Sequence, residues 1–257
     1  RTAKPAGTDN SAKTPDLHLA TFNIRIFSDK RRSDEELDKI VSLLKAFDLI
    51  AIQELRDTRV LERTKAKLNE ETKAQWRFEV SEPVGRGVKE RYAFLYRIDR
   101  VLLKEAGRVV DDAGDRFIRE PFYATFKAGH FDFTLLTIHA LYKSKDAPER
   151  KGEFDALAKV FTSLPDNNGG ETDIILLGDF NDPPTHERFS AIMAIPGMRC
   201  LLPPGAFYVF PNIEETGLSG DEFQDKLLEF GVASLAGEAC GEYGKGFLRF
   251  SYANSIE

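Results

Sequence analysis

The stretch Asp173-Ile174-Ile175-Leu176-Leu177-Gly178-Asp179-Phe180-Asn181-Asp182 constrains the chain more than any other. Four long or branched apolar residues in a row predict a strand buried on both faces. Gly178 then frees the backbone. Asp179 and Asn181 follow two residues apart, a spacing that on extended chain points both side chains to one side. A carboxylate and an amide presented together at the mouth of a core strand can hold a metal ion, a water or a phosphate oxygen. A strand that merely stops at a polar turn has the same composition, because Gly, Asp and Asn are ordinary turn residues. The rest of the chain decides between the two.

Three other apolar runs end in a similar way. Leu17 to Asn23 reads as a strand with Leu17, Leu19 and Thr21 on one face; it ends in Asn23, with basic Arg25 just beyond. Asp48 to Ile52 is a second strand, closed by Gln53-Glu54-Leu55-Arg56-Asp57, and Phe131 to Ile138 is a long one that ends in His139. Between them, Ser33-Asp34-Glu35-Glu36 has the form of a capping box, and Leu37, Ile40, Val41 and Leu44 recur at helical spacing behind it. A further helix fills 58–73, strands are expected at Trp76–Val80 and Arg91–Tyr96, and shorter ones near 101–104 and 122–126. Asp146 to Leu164 carries a helical stripe of Phe154, Leu157, Phe161 and Leu164. Four strands thus end in Asn23, Glu54, His139 and Asp179. One polar strand end means little. An amide, two acids and an imidazole beyond the ends of core strands form a hydrolytic constellation.

Composition narrows the class. The 257 residues, 42% of them hydrophobic, suffice for one large domain or two small ones, and the net charge is −6. That balance argues against broad electrostatic attraction to nucleic acid or anionic lipid, although a bound divalent cation and a few arginines can supply a local positive field. No apolar run approaches the length of a membrane span, so no membrane partner is expected. Cys200 and Cys240 are too few for a zinc site or a disulfide framework and read as reduced thiols. Residues 1–16 lack periodicity and read as a mobile arm; the chain opens at Arg1 without an apolar leader core, which leaves the compartment open.

Six segments between residue 17 and about 187 resemble the endonuclease/exonuclease/phosphatase family, in its deoxyribonuclease I-like branch. They are Thr21-Phe22-Asn23-Ile24-Arg25, Ile52-Gln53-Glu54-Leu55-Arg56-Asp57, Lys89-Glu90-Arg91-Tyr92, Arg119-Glu120-Pro121, Ile138-His139-Ala140 and Gly178-Asp179-Phe180-Asn181. The resemblance implies an α/β fold, a four-layer α/β/β/α sandwich, and Mg²⁺- or Mn²⁺-assisted hydrolysis of a phosphodiester in nucleic acid or a smaller molecule. It also implies roles. Asn23 and Glu54 lie at the metal, and His139 is a general acid or phosphate ligand held by Glu90. Arg119 contacts a phosphate oxygen, Asp179 and Asn181 orient water and phosphate, and Arg25 and Arg56 reach towards DNA. Val88 stands where the family's deoxyribonuclease I-like members carry a stacking tyrosine. The resemblance further implies a Tyr-Asp-type strand and a final Ser-Asp-His, which this sequence lacks. Its histidines are His18, His130, His139 and His186, the last read as a solvated loop residue. Impaired hydrolysis is therefore expected, with a non-catalytic folded protein as the alternative.

The tail differs. Pro196-Gly197-Met198-Arg199-Cys200, Pro204 to Pro211 and Gly241 to Ala253 resemble the small C-terminal domain of fold-type I aminotransferases, where the arginine matching Arg249 binds a carboxylate. A helix is expected at Asp221–Phe230, with three strands around it. The pyridoxal-phosphate lysine of that family belongs to a large domain with no counterpart here, so no pyridoxal phosphate is expected. The division that follows is an arm at 1–16, a nuclease-like domain at 17–190 and a tail segment at 191–257, joined near 187–196 as a composite chain.

Overall fold

A computed structural model of the chain describes residues 17–142, 148–182 and 187–196, and in the tail 208–209, 213, 216–229, 235–236, 246 and 248–251. The arm at 1–16, His186, Cys200 and Cys240 lie outside the described residues. Two compact units meet in sequence between Pro196 and Gly197.

In the first unit, strands β1 (Leu19–Phe27), β2 (Leu49–Leu55), β3 (Trp76–Val80) and β4 (Arg91–Arg97) form one sheet in the order β1-β2-β4-β3. Strands β5 (Leu102–Val109), β6 (Phe122–Ala128), β7 (Phe131–His139) and β8 (Ile174–Asp179) form the other, in sequence order. Each sheet contains one parallel pair, β1 with β2 and β7 with β8. A parallel pair needs a crossover, and helices supply both: α1 (Asp34–Leu44) joins β1 to β2, and α3 (Pro148–Ser163) joins β7 to β8. Helix α1 begins at the capping box expected from sequence, where the Glu36 amide donates to the Ser33 hydroxyl and the Ser33 amide to the Glu36 carboxylate. Helix α2 (Thr58–Thr72) is capped by the Asp57 carboxylate.

The side-chain alternation of β2 assigns the layers. Ile50 and Ile52 face α1 and α2, where Leu37, Val41, Leu44, Leu61 and Leu68 cover them. Leu49 and Ala51 face the other way and join Tyr92, Phe94 and Tyr96 against Phe122, Phe126, Phe133 and Leu135 of the second sheet. Phe94 stacks on Phe122 with ring centroids 5.0 Å apart and meets Phe126 edge-on at 5.6 Å. With α3 flanking the second sheet, the layers run helix, sheet, sheet, helix, the sandwich that the sequence suggested.

Two expectations need correction. Strand β8 is not buried on both faces: every residue of Ile174–Asp179 is only half-buried. It is the edge strand of its sheet among the described residues, and Ile175 and Leu177 alone of its apolar residues pack on the inter-sheet core. A run of branched residues reports apolar surroundings but not how many neighbours the strand has. Asn23, likewise, does not end β1. Regular pairing stops at Asn23 opposite Gln53 and resumes at Phe27 opposite Leu55, so Asn23 lies at a bulge within a longer strand.

The second unit contains α5 (Gly220–Glu229), close to the helix expected at Asp221–Phe230, and the short strands β9 (Tyr208–Val209), β10 (Leu235–Ala236) and β11 (Leu248–Ser251) in the antiparallel order β10-β11-β9. Arg249 lies on β11. Short helix α4 (Ser190–Met193) closes the first unit.

Candidate active site

The two parallel pairs bring four strands to the same place. Register puts His139 of β7 opposite Asp179 of β8, and the Asn23 amide of β1 donates to Asp179 Oδ2 at 2.9 Å. That hydrogen bond links one sheet to the other. The same amide nitrogen donates to Glu54 Oε1 at 3.1 Å. Both of its hydrogens are then engaged, while the Asn23 Oδ1 oxygen is buried and has no hydrogen-bond partner.

Glu54 reaches this point because the backbone breaks its alternation. By the period of β2 its side chain would face the helices with Ile50 and Ile52. Its φ of +59° puts Leu55 on that side instead, in the core beneath α1 and α2, and frees Glu54 for the site. Ile26, also at positive φ (+48°), donates its amide to Glu54 Oε2 at 3.0 Å. Burial pushes the Glu54 carboxyl up, but the Ile26 and Asn23 amides, the His139 ring and the Arg56 guanidinium together outweigh it. The carboxyl is held below its ordinary value and is ionised.

On the other side, His139 Nδ1 donates to Glu90 Oε1 at 2.7 Å, which leaves Nε2 directed inward, 3.8 Å from Asp179 Oδ2. The buried Glu90 carboxylate is compensated by Arg119 Nε at 3.2 Å and by Arg56 Nη2 at 3.7 Å. Arg119 also donates to the His139 carbonyl at 3.4 Å, and Arg56 to the Lys89 carbonyl at 2.8 Å. Both guanidiniums are therefore tied to the histidine's support, with half-exposed edges left over for an anion. Arg25 is exposed, and its carbonyl accepts from the Arg32 guanidinium.

Asn181 departs from the expected geometry. Strand β8 ends at Asp179, and Asn181 takes φ +52°, so the two do not share one face of an extended chain. Instead the Asn181 amide donates to Asp179 Oδ1 at 3.0 Å and its side chain donates to the Ala140 carbonyl at 2.8 Å, pinning the end of β7 to the turn after β8.

Five residues left unassigned by sequence hold the site up. The buried Gln53 donates to Thr137 Oγ1 at 3.0 Å and shares hydrogen bonds with Thr21, a polar tie between the sheets directly under the site. The His139 amide donates to the Tyr92 phenol oxygen at 2.9 Å, and burial pushes that phenol's pKa up, so it stays neutral. Glu153 of α3 accepts from the amides of Ile118 and Leu141 at 3.2 and 2.8 Å and so fixes the loops that carry Arg119 and follow His139. Its carboxyl is raised by burial, with those amides pulling against it. Gln53 and Thr137 were visible as polar residues inside apolar runs; Glu153 gave no signal.

The donors suit a hard cation. Among the described residues no three His, Cys, Asp or Glu side chains converge as a metal cluster. The orphaned oxygen, however, belongs to the amide that bonds the ionised Glu54 carboxylate, and Mg²⁺ is typically held by one or two protein oxygens with water and phosphate completing its shell.

The sequence model of the endonuclease/exonuclease/phosphatase family matches residues 20–231. A deoxyribonuclease of Thioalkalivibrio is 34% identical over 191 residues, covering 72% of this chain and 52% of the relative. Horse deoxyribonuclease-1 is 32% identical over 209 residues, covering 78% of this chain and 72% of the relative. The rabbit protein is 36% identical over 177 residues and is covered to 60% of its length. The chain thus spans from about half to nearly three quarters of these relatives. Among solved structures, a Bacteroides thetaiotaomicron mannosyl-6-phosphatase (TM-score 0.51, 19% identity, 68% of this chain and 69% of that one) and the human Nocturnin catalytic domain (0.50, 15%, 70% of each) share the fold. The family match crosses 187–196 and runs well into the tail, so a composite chain with an aminotransferase-like end finds no support. By this match, the chain belongs to the endonuclease/exonuclease/phosphatase family.

Proposed function

We propose that the chain is a divalent-metal-dependent phosphodiesterase acting on nucleic acid, and a slow one. The observation that carries the reading is the Asn23 side chain, whose amide hydrogens reach the ionised Glu54 carboxylate and Asp179 while its oxygen is buried and unpartnered, with His139 Nε2 3.8 Å from the same Asp179 oxygen. The deoxyribonuclease names of the relatives support nucleic acid as the substrate.

Asn23 and Glu54 would hold Mg²⁺ or Mn²⁺. When bound, the ion neutralises phosphate charge and acidifies a coordinated water. The chain's own residues do the rest. The exposed edges of Arg56 and Arg119 bind non-bridging phosphate oxygens. Asp179, fixed by Asn23 and by the Asn181 amide, orients the attacking water. Water adds to phosphorus as its proton passes to the Asp179 carboxylate, the bond to the leaving oxygen breaks, and that oxygen takes its proton from Nε2 of His139, which for this step carries a proton on both ring nitrogens. Glu90 keeps the ring in the orientation this transfer needs.

Slowness follows from His139 being the one imidazole at the site among the described residues. His130 immediately precedes β7 and His139 ends it, so they lie a strand's length apart, about 30 Å. His18 precedes β1, at the opposite end from Asn23. With no second imidazole in reach among the described residues, proton removal from water falls to a carboxylate, and losing one positioned acid–base group costs about 10²–10⁴-fold.

The test is cleavage of plasmid DNA and of a chromogenic phosphodiester with Mg²⁺, with Mn²⁺ and with chelator. Weak metal-dependent cleavage is expected, lost in Glu54→Ala and reduced about 10²–10⁴-fold in His139→Ala. Cleavage that survives chelator, or is unchanged in both variants, would assign the activity elsewhere. No cleavage by a folded protein would leave a non-catalytic member of the family.

A further inference from the structure

The site is built of charges and amides, yet its rim is apolar. Three of the eight exposed large hydrophobic residues among those described lie within three positions of a site residue, each on a different segment. Ile26 (39% exposed) gives its amide to Glu54; Val88 (76%) stands two residues before Glu90; Tyr142 (81%) stands three residues after His139. Tyr142 is the most exposed large hydrophobic residue among those described. The only other exposed aromatic among them, Phe131, stacks on Phe133 at the far end of β7.

The residues just before Tyr142 are anchored. Its neighbour Leu141 donates its amide to the buried Glu153 carboxylate, and the His139 carbonyl is held by Arg119. Three residues of chain reach at most about 10 Å, so the Tyr142 backbone lies within a nucleotide or two of a phosphate held at His139. An aromatic ring kept in water at that distance faces whatever flanks the scissile phosphate.

Resting on the phosphodiesterase reading above, we propose that this rim, with Tyr142 as its stacking ring, takes the bases of an unpaired strand, so that the substrate is single-stranded or locally unpaired nucleic acid. In a duplex the base faces are covered by their neighbours, and the grooves present donors and acceptors that call for polar side chains. Apolar and aromatic side chains find base faces freely where the strand is unpaired, and in a duplex only by prising a base step apart at the cost of its stacking. Charge points the same way. Duplex binding rests on neutralising many phosphates, whereas this chain has a net charge of −6, and Arg56 and Arg119 are already paired with Glu90.

The experiment compares cleavage, with Mg²⁺, of a single-stranded oligonucleotide, the same strand in a perfect duplex, and the same strand with abasic positions around the cut. It is run on the wild type, Tyr142→Ala and Tyr142→Phe. Binding of the fluorescent single strand in chelator is followed by anisotropy in parallel. The wild type should favour the single strand over the duplex in kcat/KM. Tyr142→Ala should raise KM for the single strand about tenfold, the scale of losing one stacked base, and leave the abasic strand unchanged. Tyr142→Phe should behave as wild type. Equal or faster cleavage of the duplex, or an equal loss on all three substrates in Tyr142→Ala, overturns the proposal. If a folded wild type cleaves none of them, the phosphodiesterase reading falls, and anisotropy still decides the rim's role. Weaker binding by Tyr142→Ala supports stacking, and unchanged binding overturns it.

Discussion

Glu54 and Asn181 hold backbone conformations that side chains seldom adopt, at φ +59° and +52°. Such strain persists where surrounding contacts over-determine it. At Glu54 those contacts are the Ile26 and Asn23 hydrogen bonds, which also keep its carboxyl below the ordinary value. The sign of the resulting pH dependence is fixed. A carboxyl whose folded pKa is depressed contributes stability that is full above its free value of 4.5 and lost as pH falls through the folded one. In metal-free buffer, wild type should therefore exceed Glu54→Gln in unfolding free energy at pH 7, and the gap should close in acid. Urea titrations at several pH values measure it, and a gap that widens on acidification contradicts the assignment. The identity of Glu54 as a site residue was legible in Gln53-Glu54-Leu55-Arg56-Asp57. Its reversed side-chain direction was not, because no residue type there signals positive φ. Asn181 was misdirected differently: asparagine tolerates positive φ, and its spacing from Asp179 suggested a shared face only for as long as the chain stayed extended.

At the scale of elements, Gly178 and Gln53 show why the strands must end where they do. Gly178 has φ +147°, and a Cβ there would lie 2.1 Å from the Ile138 carbonyl oxygen, on the neighbouring strand. Gly178→Ala should force β7 and β8 apart beside His139 and Asp179. We expect a loss of about 3 kcal/mol or more by chemical denaturation, together with loss of activity. A variant with wild-type stability would remove the close approach from the account. Gln53→Leu keeps the bulk but leaves Thr137 and Thr21 without their partner between the sheets. It should cost about 1–3 kcal/mol, read as a lowered denaturation midpoint with an unchanged slope. The elements themselves were legible: the Ser33–Glu36 capping box, the stripe on α1 and the long run of β7 all formed where expected. What escaped was pairing. The edge position of β8 and the tie between Gln53 and Thr137, 84 residues apart, arise only once distant segments meet.

For the whole molecule, the consequence of the fold is that two parallel strand pairs, one from each sheet, deliver their ends to one point, and a single amide side chain joins them. A cation at Asn23 and Glu54 would bind only the assembled sandwich and should stabilise it. Mg²⁺ at about ten times its dissociation constant adds roughly 1.4 kcal/mol, a rise of a few degrees in Tm that Glu54→Ala should not show. Differential scanning fluorimetry with and without Mg²⁺ tests this, and an equal shift in the variant would move the ion elsewhere. Sequence could single out Asn23, Glu54, His139 and Asp179 as candidates because their residue types are chemically unusual in or just after apolar runs. It suggested an aminotransferase-like end for the tail from short Gly-, Pro- and Phe-rich segments, which carry little information on their own, and the family match through residue 231 lends that reading no support.

The central claim is that a cation held by Asn23 and Glu54 drives hydrolysis. It is tested most directly by the rate of oligonucleotide cleavage as a function of Mn²⁺ concentration, for the wild type and for Asn23→Ala. Saturation is expected in the wild type, with the midpoint in Asn23→Ala moved at least about tenfold higher, the range typical when a metal site loses a supporting group. Coincident curves for the two proteins would contradict the claim and place the active ion at other residues.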